Sequence, residues 1–136
     1  MVEIRQFLSR TDNFAVLVHD PKTGATAAID APEEKAILDA LAATGWKLTD
    51  ILVTHEHSDH VEGIPGLKAK FGCKVTAPRT STQVPLVDAM VGEGDMVAVG
   101  GAKALVLDTP GHCPDHIAYW FRDDKVVFAG DTLFAM

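Results

Sequence analysis

The sequence has 136 residues, of which 47% are apolar and 23% are charged, and its formal net charge is −7. This length is typical of one domain with its own hydrophobic core, and the composition is that of an ordinary soluble globular protein. The negative charge and the absence of a Lys/Arg run argue against nucleic acid as a partner.

The first part of the chain predicts strands followed by a helix. Three strand-like runs occupy it: Glu3–Leu8, Phe14–His19 and Ala25–Ile29. Turn-forming residues at 20–24 predict a hairpin between the second and third runs. Apolar residues at helical spacing then predict a helix that ends at Gly45, with Asp30 as its N-cap and Pro32 near the first helical position.

The rest of the chain predicts one more helix and further strands. Asp50–Val53 is a short apolar strand, and an amphipathic helix from Val61 to Phe71 is closed by Gly72. The later strand-like runs are Lys74–Ala77, Met96–Val99, Lys103–Leu107, Ile117–Phe121 and Val126–Ala129. Hairpin strands mixed with two main helices predict an α/β layered domain, in which helices cover one face of a mainly antiparallel or mixed sheet.

A dense cluster of metal-ligand residues follows the strand at 50–53. The segment 54–60 reads Thr-His-Glu-His-Ser-Asp-His and holds three of the six histidines. Neutral imidazoles packed beside carboxylates are costly unless a cation organises them. Zinc and similar divalent metals favour this mixture of nitrogen and oxygen donors. The segment therefore predicts a metal site on a strand-to-helix loop, contributed by His55, His57, Asp59 and His60.

Two later segments place further ligand-type residues after strands. His112 ends the segment Asp-Thr-Pro-Gly-His at 108–112, and Asp131 lies in Gly-Asp-Thr-Leu-Phe at 130–134. Pro and Gly in the first of these segments restrict the backbone path of the loop. Three strand ends with ligand-type residues predict that these side chains converge on one edge of a sheet.

Together, these motifs resemble the metallo-β-lactamase fold superfamily and, within it, glyoxalase II (hydroxyacylglutathione hydrolase). The resemblance runs along essentially the whole chain. It includes Asp12–Phe14, the His-x-His-x-Asp-His segment, Leu67–Gly72, Thr109–His112 and Gly130–Phe134. It implies an αββα sandwich of which about the first half is present, so that residues 1–136 are the N-terminal part of such a hydrolase domain.

The resemblance also implies a ligand set and a reaction. By position, His55, His57 and His112 hold one metal, Asp59 and His60 hold a second, and Asp131 bridges the two. Two divalent metals are implied, zinc first, with iron or manganese as alternatives. The family hydrolyses S-D-lactoylglutathione to D-lactate and glutathione with a metal-bridging hydroxide, and Asp59 and Asp131 are the implied catalytic carboxylates.

The family resembled continues well beyond Met136 and supplies there a further histidine ligand and most of its glutathione contacts. We therefore expect weaker occupancy of the second metal site. We also expect an uncovered inner sheet face that a second copy of the chain buries, which makes a homo-oligomer the predicted assembly.

Two other functions stay open, and several residues have plainer interpretations. One alternative is a persulfide dioxygenase with a single iron, and the other is a half-domain that binds metal without turnover. His19 is interpreted as structural, His116 as a packing residue near the ligands, and Cys73 and Cys113 as inert thiols. Two cysteines, no signal peptide and no long apolar run predict a location in the cytoplasm.

Overall fold

A computed structural model of the protein describes residues 2–9, 13–31, 33–54, 61–79, 84–108, 117–129 and 132–135. The described helices are α1 (Glu34–Thr44) and α2 (Ile64–Phe71). The described strands are β1 (Glu3–Ser9), β2 (Asn13–His19), β3 (Thr26–Ile29), β4 (Asp50–Leu52), β5 (Lys74–Pro78), β6 (Ala89–Val91), β7 (Met96–Val99), β8 (Ala102–Asp108), β9 (Ile117–Phe121), β10 (Val126–Ala129) and β11 (Thr132–Ala135).

The first sheet is mixed and has the strand order β1-β2-β3-β4-β5-β6. Its first three strands form antiparallel hairpins, whereas β3, β4, β5 and β6 run parallel. Parallel neighbours need a crossover connection, and α1 and α2 lie in the connections from β3 to β4 and from β4 to β5. Both helices end at a glycine in the left-handed region, Gly45 (φ 77°) and Gly72 (φ 62°), as the sequence predicts.

The second sheet is antiparallel throughout and has the order β11-β10-β9-β8-β7. Strands β7 and β8 are joined by a tight turn with Gly100 at φ 59°. A short 3-10 turn over Arg122–Asp124 joins β9 to β10 and ends at Lys125, which also has a positive φ. The turn falls between the strand-like runs that the sequence analysis ends at Phe121 and begins at Val126.

Two apolar cores separate three layers. The first core packs the two helices against one face of the first sheet, and its fully buried members include Leu17, Ile37 and Leu67. The second core lies between the two sheets and includes Val18, Tyr119 and Phe128. The inner sheet faces therefore cover each other, and the prediction that an inner face is uncovered is wrong.

The outer face of the second sheet carries a row of apolar residues. The strand registers align Met96 with Leu105, Leu105 with Trp120, and Trp120 with Val127. Met96 is 55% exposed, and the other three are partly exposed. Both described helices pack in the first core, on the far side of the first sheet. We call Met96, Leu105, Trp120 and Val127 the outer row.

Some predicted elements differ from the structure. Strands β6 and β11 were not expected, because β6 has only three residues and β11 falls inside the segment interpreted as a ligand motif. Asp30 is not the N-cap of α1, which is Glu33, because the Asp30 carboxylate binds the chain near β4 instead. No helix among the described residues is long and apolar enough to cross a membrane.

The plainer interpretations of His19 and Cys73 agree with their surroundings. The His19 ring stacks on Trp46 with 4.3 Å between the ring centres, and its Nδ1 lies 2.8 Å from the buried hydroxyl of Thr26. Cys73 is buried, and burial raises the pKa of its thiol, which disfavours the reactive thiolate.

Candidate metal centre

The residues interpreted as metal ligands all lie outside the described part of the chain: His55, His57, Asp59, His60, His112 and Asp131. The described part of the chain contains no cluster of three or more His, Cys, Asp or Glu side chains that would hold a metal. His116 and Cys113 also lie outside it. What the structure describes is the backbone on either side of these segments.

The segments with the candidate ligands connect to described residues at three places. The first follows Thr54 beyond β4, the second connects Asp108 to Ile117, and the third connects β10 to β11. Asp108 and Ile117 are register partners, and the pairing of Phe128 with Tyr119 brings the end of β10 to the same end of the sheet. The second and third places are therefore neighbours.

A hydrogen bond between the two sheets brings the first place, after Thr54, next to the second and third places. The backbone N–H of Ile117 donates to the carbonyl of Thr54, with 2.9 Å between nitrogen and oxygen. The three places thus lie at one end of the sandwich but on two sheets. The prediction of a single sheet edge is wrong, because β4 belongs to the first sheet, whereas β8 and β10 belong to the second.

Asp30 fixes the chain just before the His-rich segment. Its carboxylate accepts hydrogen bonds from the Thr54 N–H and the Thr54 hydroxyl, each at 2.7 Å. Its own N–H donates to the Leu52 carbonyl. Asp30 is 2% exposed and has a φ of 65°, which is a costly conformation for a non-glycine residue. These charge-assisted hydrogen bonds offset that cost and hold the Thr54 backbone in one orientation.

Tyr119 supports the same strand from the second sheet. Its buried hydroxyl donates to the carbonyl of Val53 at 2.7 Å. Burial, with a smaller contribution from the negative charge of Asp30, holds the pKa of Tyr119 well above its usual range. The phenol therefore stays protonated at physiological pH and remains a hydrogen-bond donor.

The chain is fixed again shortly after the His-rich segment. The Gly63 N–H donates to the Ala31 carbonyl at 2.7 Å, beside the start of α1. A Cβ at residue 63 would lie 2.9 Å from both the Ala31 oxygen and the Glu34 nitrogen. Only glycine allows this approach. Residues 55–60 thus lie between two fixed backbone positions, Thr54 and Gly63. Asp30 and Ala31, which directly follow β3, hold these two positions.

A cleft of about 350 Å³ opens at this end of the sandwich. Residues from both sheets line it: Pro78, Arg79, Val91, Gly92, Glu93, Asp108 and Ile117. Two of them, Asp108 and Ile117, flank the segment that contains His112. The cleft therefore lies directly beside the two ends of the segment that contains His112.

The roles of Asp30 and Tyr119 in supporting this end of the fold are not evident from the sequence. Asp30 was interpreted as a helix cap because it precedes Pro32 and two glutamates. Its distance of 24 residues from Thr54 gives no local signal. Tyr119 lies in an apolar strand, where a lone tyrosine is ordinary core. Both roles depend on tertiary contacts.

Comparisons with known proteins agree with this architecture. The family described as the Metallo-beta-lactamase superfamily matches residues 10–136. A hydroxyacylglutathione hydrolase of Methylobacterium nodulans is 60% identical over all of this chain and 54% of its own length. One of Rhodopseudomonas palustris (strain BisA53) is 58% identical over 98% of this chain and 53% of its own length. The chain spans about half the length of these curated relatives.

Solved structures resemble the same fold. ETHE1 from Myxococcus xanthus superposes with a TM-score of 0.81 at 28% identity, covering 93% of this chain and 56% of its own. The BLEG-1 B3 metallo-beta-lactamase gives 0.82 at 21% identity, covering 97% of this chain and 73% of its own. At that identity, the second likeness concerns the fold alone.

Proposed function

Because the chain belongs to the metallo-beta-lactamase superfamily, we propose that it carries the metal centre of a thioester hydrolase that acts on hydroxyacylglutathione. The observation that supports this most is the 54–60% identity to hydrolases of that name along at least 98% of the chain. The framework around the candidate ligands is compatible with it, because all three ligand segments leave the fold at one end.

The proposed centre takes two divalent metals, with zinc the first candidate. In the proposal, His55, His57 and His112 would hold one metal, Asp59 and His60 would hold the second, and Asp131 would be a ligand common to both. Four imidazoles and two carboxylates form a donor set that suits borderline divalent cations. When bound, such metals supply Lewis acidity toward the thioester carbonyl and lower the pKa of water to about 7.

Three residues outside the ligand segments position the backbone beside the proposed centre. Asp30 and Tyr119 hold the backbone at Val53 and Thr54, and the bond from Ile117 to Thr54 keeps the two sheets in contact there. Fixed supports of this kind matter because small errors in ligand position weaken metal sites. The thiolate leaving group needs no strong acid, because a thiol has a pKa of about 8.5.

The proposal is tested by loading the chain with zinc, manganese or iron and measuring hydrolysis of S-D-lactoylglutathione. We expect activity, and we expect His57→Ala to lower kcat/KM by about a hundredfold or more, since residues that merely support ligands are worth 10–100-fold. His19→Gln is the matched histidine control, because His19 stacks on Trp46 rather than lying in a ligand motif. Metal content, measured by mass spectrometry, should fall in His57→Ala only.

Two results would contradict this function. Absence of hydrolysis with every metal, in a chain that is folded and metal-loaded, would favour a metal-binding half-domain without turnover. About one iron per chain, with oxygen consumption on glutathione persulfide, would favour the dioxygenase alternative. Both assays use the same metal-loaded protein, so that the three functions are compared directly.

A further inference from the structure

Among the described strands, β1 is the sheet edge best suited to pair with another strand. The other described edge strands are β6 in the first sheet and β7 and β11 in the second. β1 has seven residues, whereas β6 has three and the other two have four each. An edge strand leaves half of its backbone N–H and carbonyl groups without a partner strand, so a long edge favours pairing with another chain.

β1 lacks several of the features that usually protect a sheet edge. Its pairing with β2 is continuous over the whole strand, so no bulge bends the edge away. It contains no proline, and the side chain of Ile4 is 41% exposed. Its two charged residues, Glu3 and Arg5, are exposed, and neither forms an ion pair with another residue in the described ranges. Because their charges are opposite, they do not repel every added strand.

The two faces of β1 differ in character. Ile4 is the register partner of Val18, which is fully buried in the core between the two sheets. Ile4 therefore extends this apolar row to the edge of the sheet, where it meets solvent. Glu3 and Arg5 lie on the opposite face, and Arg5 lines a groove beside α1. A partner strand that fits β1 thus needs an apolar residue on one face and opposite charges on the other.

A second copy of β1 meets both requirements in one antiparallel register. With a twofold axis through Ile4, the two Ile4 side chains face each other, and each Glu3 faces Arg5 of the other copy. Opposite charges directly across a ladder stabilise it, whereas like charges destabilise it. An axis through Glu3 or through Arg5 would place that residue against its own copy. The charges therefore favour the register with Ile4 on the axis.

We propose that β1 pairs in this register with β1 of a second copy of the chain, which joins two six-stranded sheets into one. The contact covers the exposed part of both Ile4 side chains. One short strand from each copy buries less than the roughly 1,600 Å² of a standard interface, so the dimer is weak. It uses an edge of the first sheet and is separate from the outer row, which lies on the second sheet.

Disulfide trapping tests the register. Residues opposite each other in an antiparallel ladder have Cα atoms about 4.5–5.5 Å apart, a distance that a disulfide spans. We expect Ile4→Cys to give a covalent dimer under mild oxidation and dithiothreitol to release it. Gln6→Cys is the matched control, because Gln6 is exposed on the same face, but its two copies would lie about 13 Å apart. Peptide mass spectrometry distinguishes the expected bridge from one that involves Cys73 or Cys113.

Charge exchange tests the contact between Glu3 and Arg5, in a Met96→Lys background that weakens association through the outer row. Glu3→Arg and Arg5→Glu each place like charges opposite each other twice per dimer, so we expect the dimer Kd to rise about tenfold. The double variant restores opposite charges and should return to the Kd of the background. Sedimentation velocity over a concentration series measures these values.

A matched variant and three contrary results complete the experiment. Lys47→Glu makes the same charge change as Arg5→Glu at an exposed position outside the edge, and it should leave the Kd unchanged. Equal cross-linking of Ile4→Cys and Gln6→Cys, or none in either, would overturn the proposal. So would a double variant that dimerises as weakly as the single variants. Absence of dimers in the background variant would reject a second copy as the partner and would leave the edge to an extended segment of another protein.

Discussion

Asp30 and Tyr119 show how single residues far from each other in sequence fix one short stretch of backbone. Asp30 accepts two hydrogen bonds from Thr54, and Tyr119 donates one to Val53. Both groups are buried, where an unpaired polar atom is expensive and a paired one is strongly directional. The backbone before the His-rich segment is therefore held from both sheets.

Replacing Tyr119 with Phe tests this support. The variant removes one hydroxyl and leaves the Val53 carbonyl without that donor, so we expect a loss of about 1–3 kcal/mol in the free energy of unfolding. Urea unfolding followed by circular dichroism measures it. Zinc affinity should also fall, because the support of Val53 loosens. Unchanged stability together with unchanged zinc affinity would show that this hydrogen bond is dispensable.

Asp30→Ala tests the other support. It removes two charge-assisted hydrogen bonds in the interior, so we expect a loss of about 3 kcal/mol or more. Asp30→Asn is the matched control, because Asn tolerates the left-handed region and keeps one acceptor oxygen. It should lose less than Ala. The ranking is measured by urea unfolding, and equal losses in the two variants would contradict the role of the acceptor oxygens.

At the scale of elements, α2 is placed by a close backbone approach at its N-terminal end. Gly63 lies against the Ala31 carbonyl and the start of α1, while the atoms nearest to a Cβ at Gly66 belong to the carboxylate of Glu34. The first contact is backbone against backbone and cannot relax. The second involves the far end of a flexible side chain, which also pairs with Lys70.

Alanine at these two glycines should therefore have different effects on stability. For Gly63→Ala we expect a loss of about 1–3 kcal/mol from overpacking. For Gly66→Ala we expect a change near zero, because the helix gains about 0.5–1 kcal/mol and loses an exposed ion pair of about 0.5 kcal/mol. Thermal and urea unfolding of both variants measure the difference. A larger loss for Gly66→Ala would contradict the proposed packing.

The sequence predicted those helices and strands whose ends are marked by neighbouring residues. Gly45 and Gly72 end the helices as expected, because a left-handed C-terminal residue favours glycine at that point. The three-residue strand β6 was missed, since its pairing with β5 depends on the sheet rather than on its own residues. The assignment of Asp30 failed for the same reason. The ligand assignments at 55–60, 112 and 131 stay predictions, and only their flanking residues are described.

At the scale of the whole molecule, charged groups tie the two sheets together at the end opposite the candidate centre. Asp20 accepts from the Gly101 N–H at 2.7 Å, and the Val2 N–H donates to Asp124 at 2.8 Å. Asp20 also accepts hydrogen bonds from the Thr23 hydroxyl and the Lys22 N–H. The bond from Gly101, followed by those from Thr23 and Lys22, lowers the pKa of the Asp20 carboxyl below its usual 3.8.

This shift predicts the sign of the acid response. A carboxyl with a lowered pKa in the folded state adds stability above about pH 4, and that stability is lost as the pH falls through the folded-state pKa. Asp20→Asn should therefore lower Tm at pH 7, with a difference that shrinks below about pH 4. Asp39→Asn, at an exposed helix position, should show no such pattern in calorimetry. A difference that grows on acidification would contradict the prediction.

Self-association stays a prediction, and the face available for it is the outer row rather than the inner sheet face. Met96, Leu105, Trp120 and Val127 form a continuous apolar band, and such bands favour association. We expect concentration-dependent dimers in sedimentation velocity, and fewer of them in Met96→Lys. The matched control is Met90→Lys, a similarly exposed methionine on β6 of the other sheet. A monomer at every concentration would contradict self-association.

The hydrogen bond from Ile117 to Thr54 has a consequence for how the protein is made. During synthesis, residues 55–60 emerge from the ribosome well before the strand that begins at Ile117, whose arrival closes this end of the sandwich. Until then, the nascent histidines have no partner sheet to organise them. Stable metal uptake is thus expected to follow emergence of the strand that begins at Ile117, and a ribosome-stalled fragment that ends before Ile117 should bind zinc only loosely.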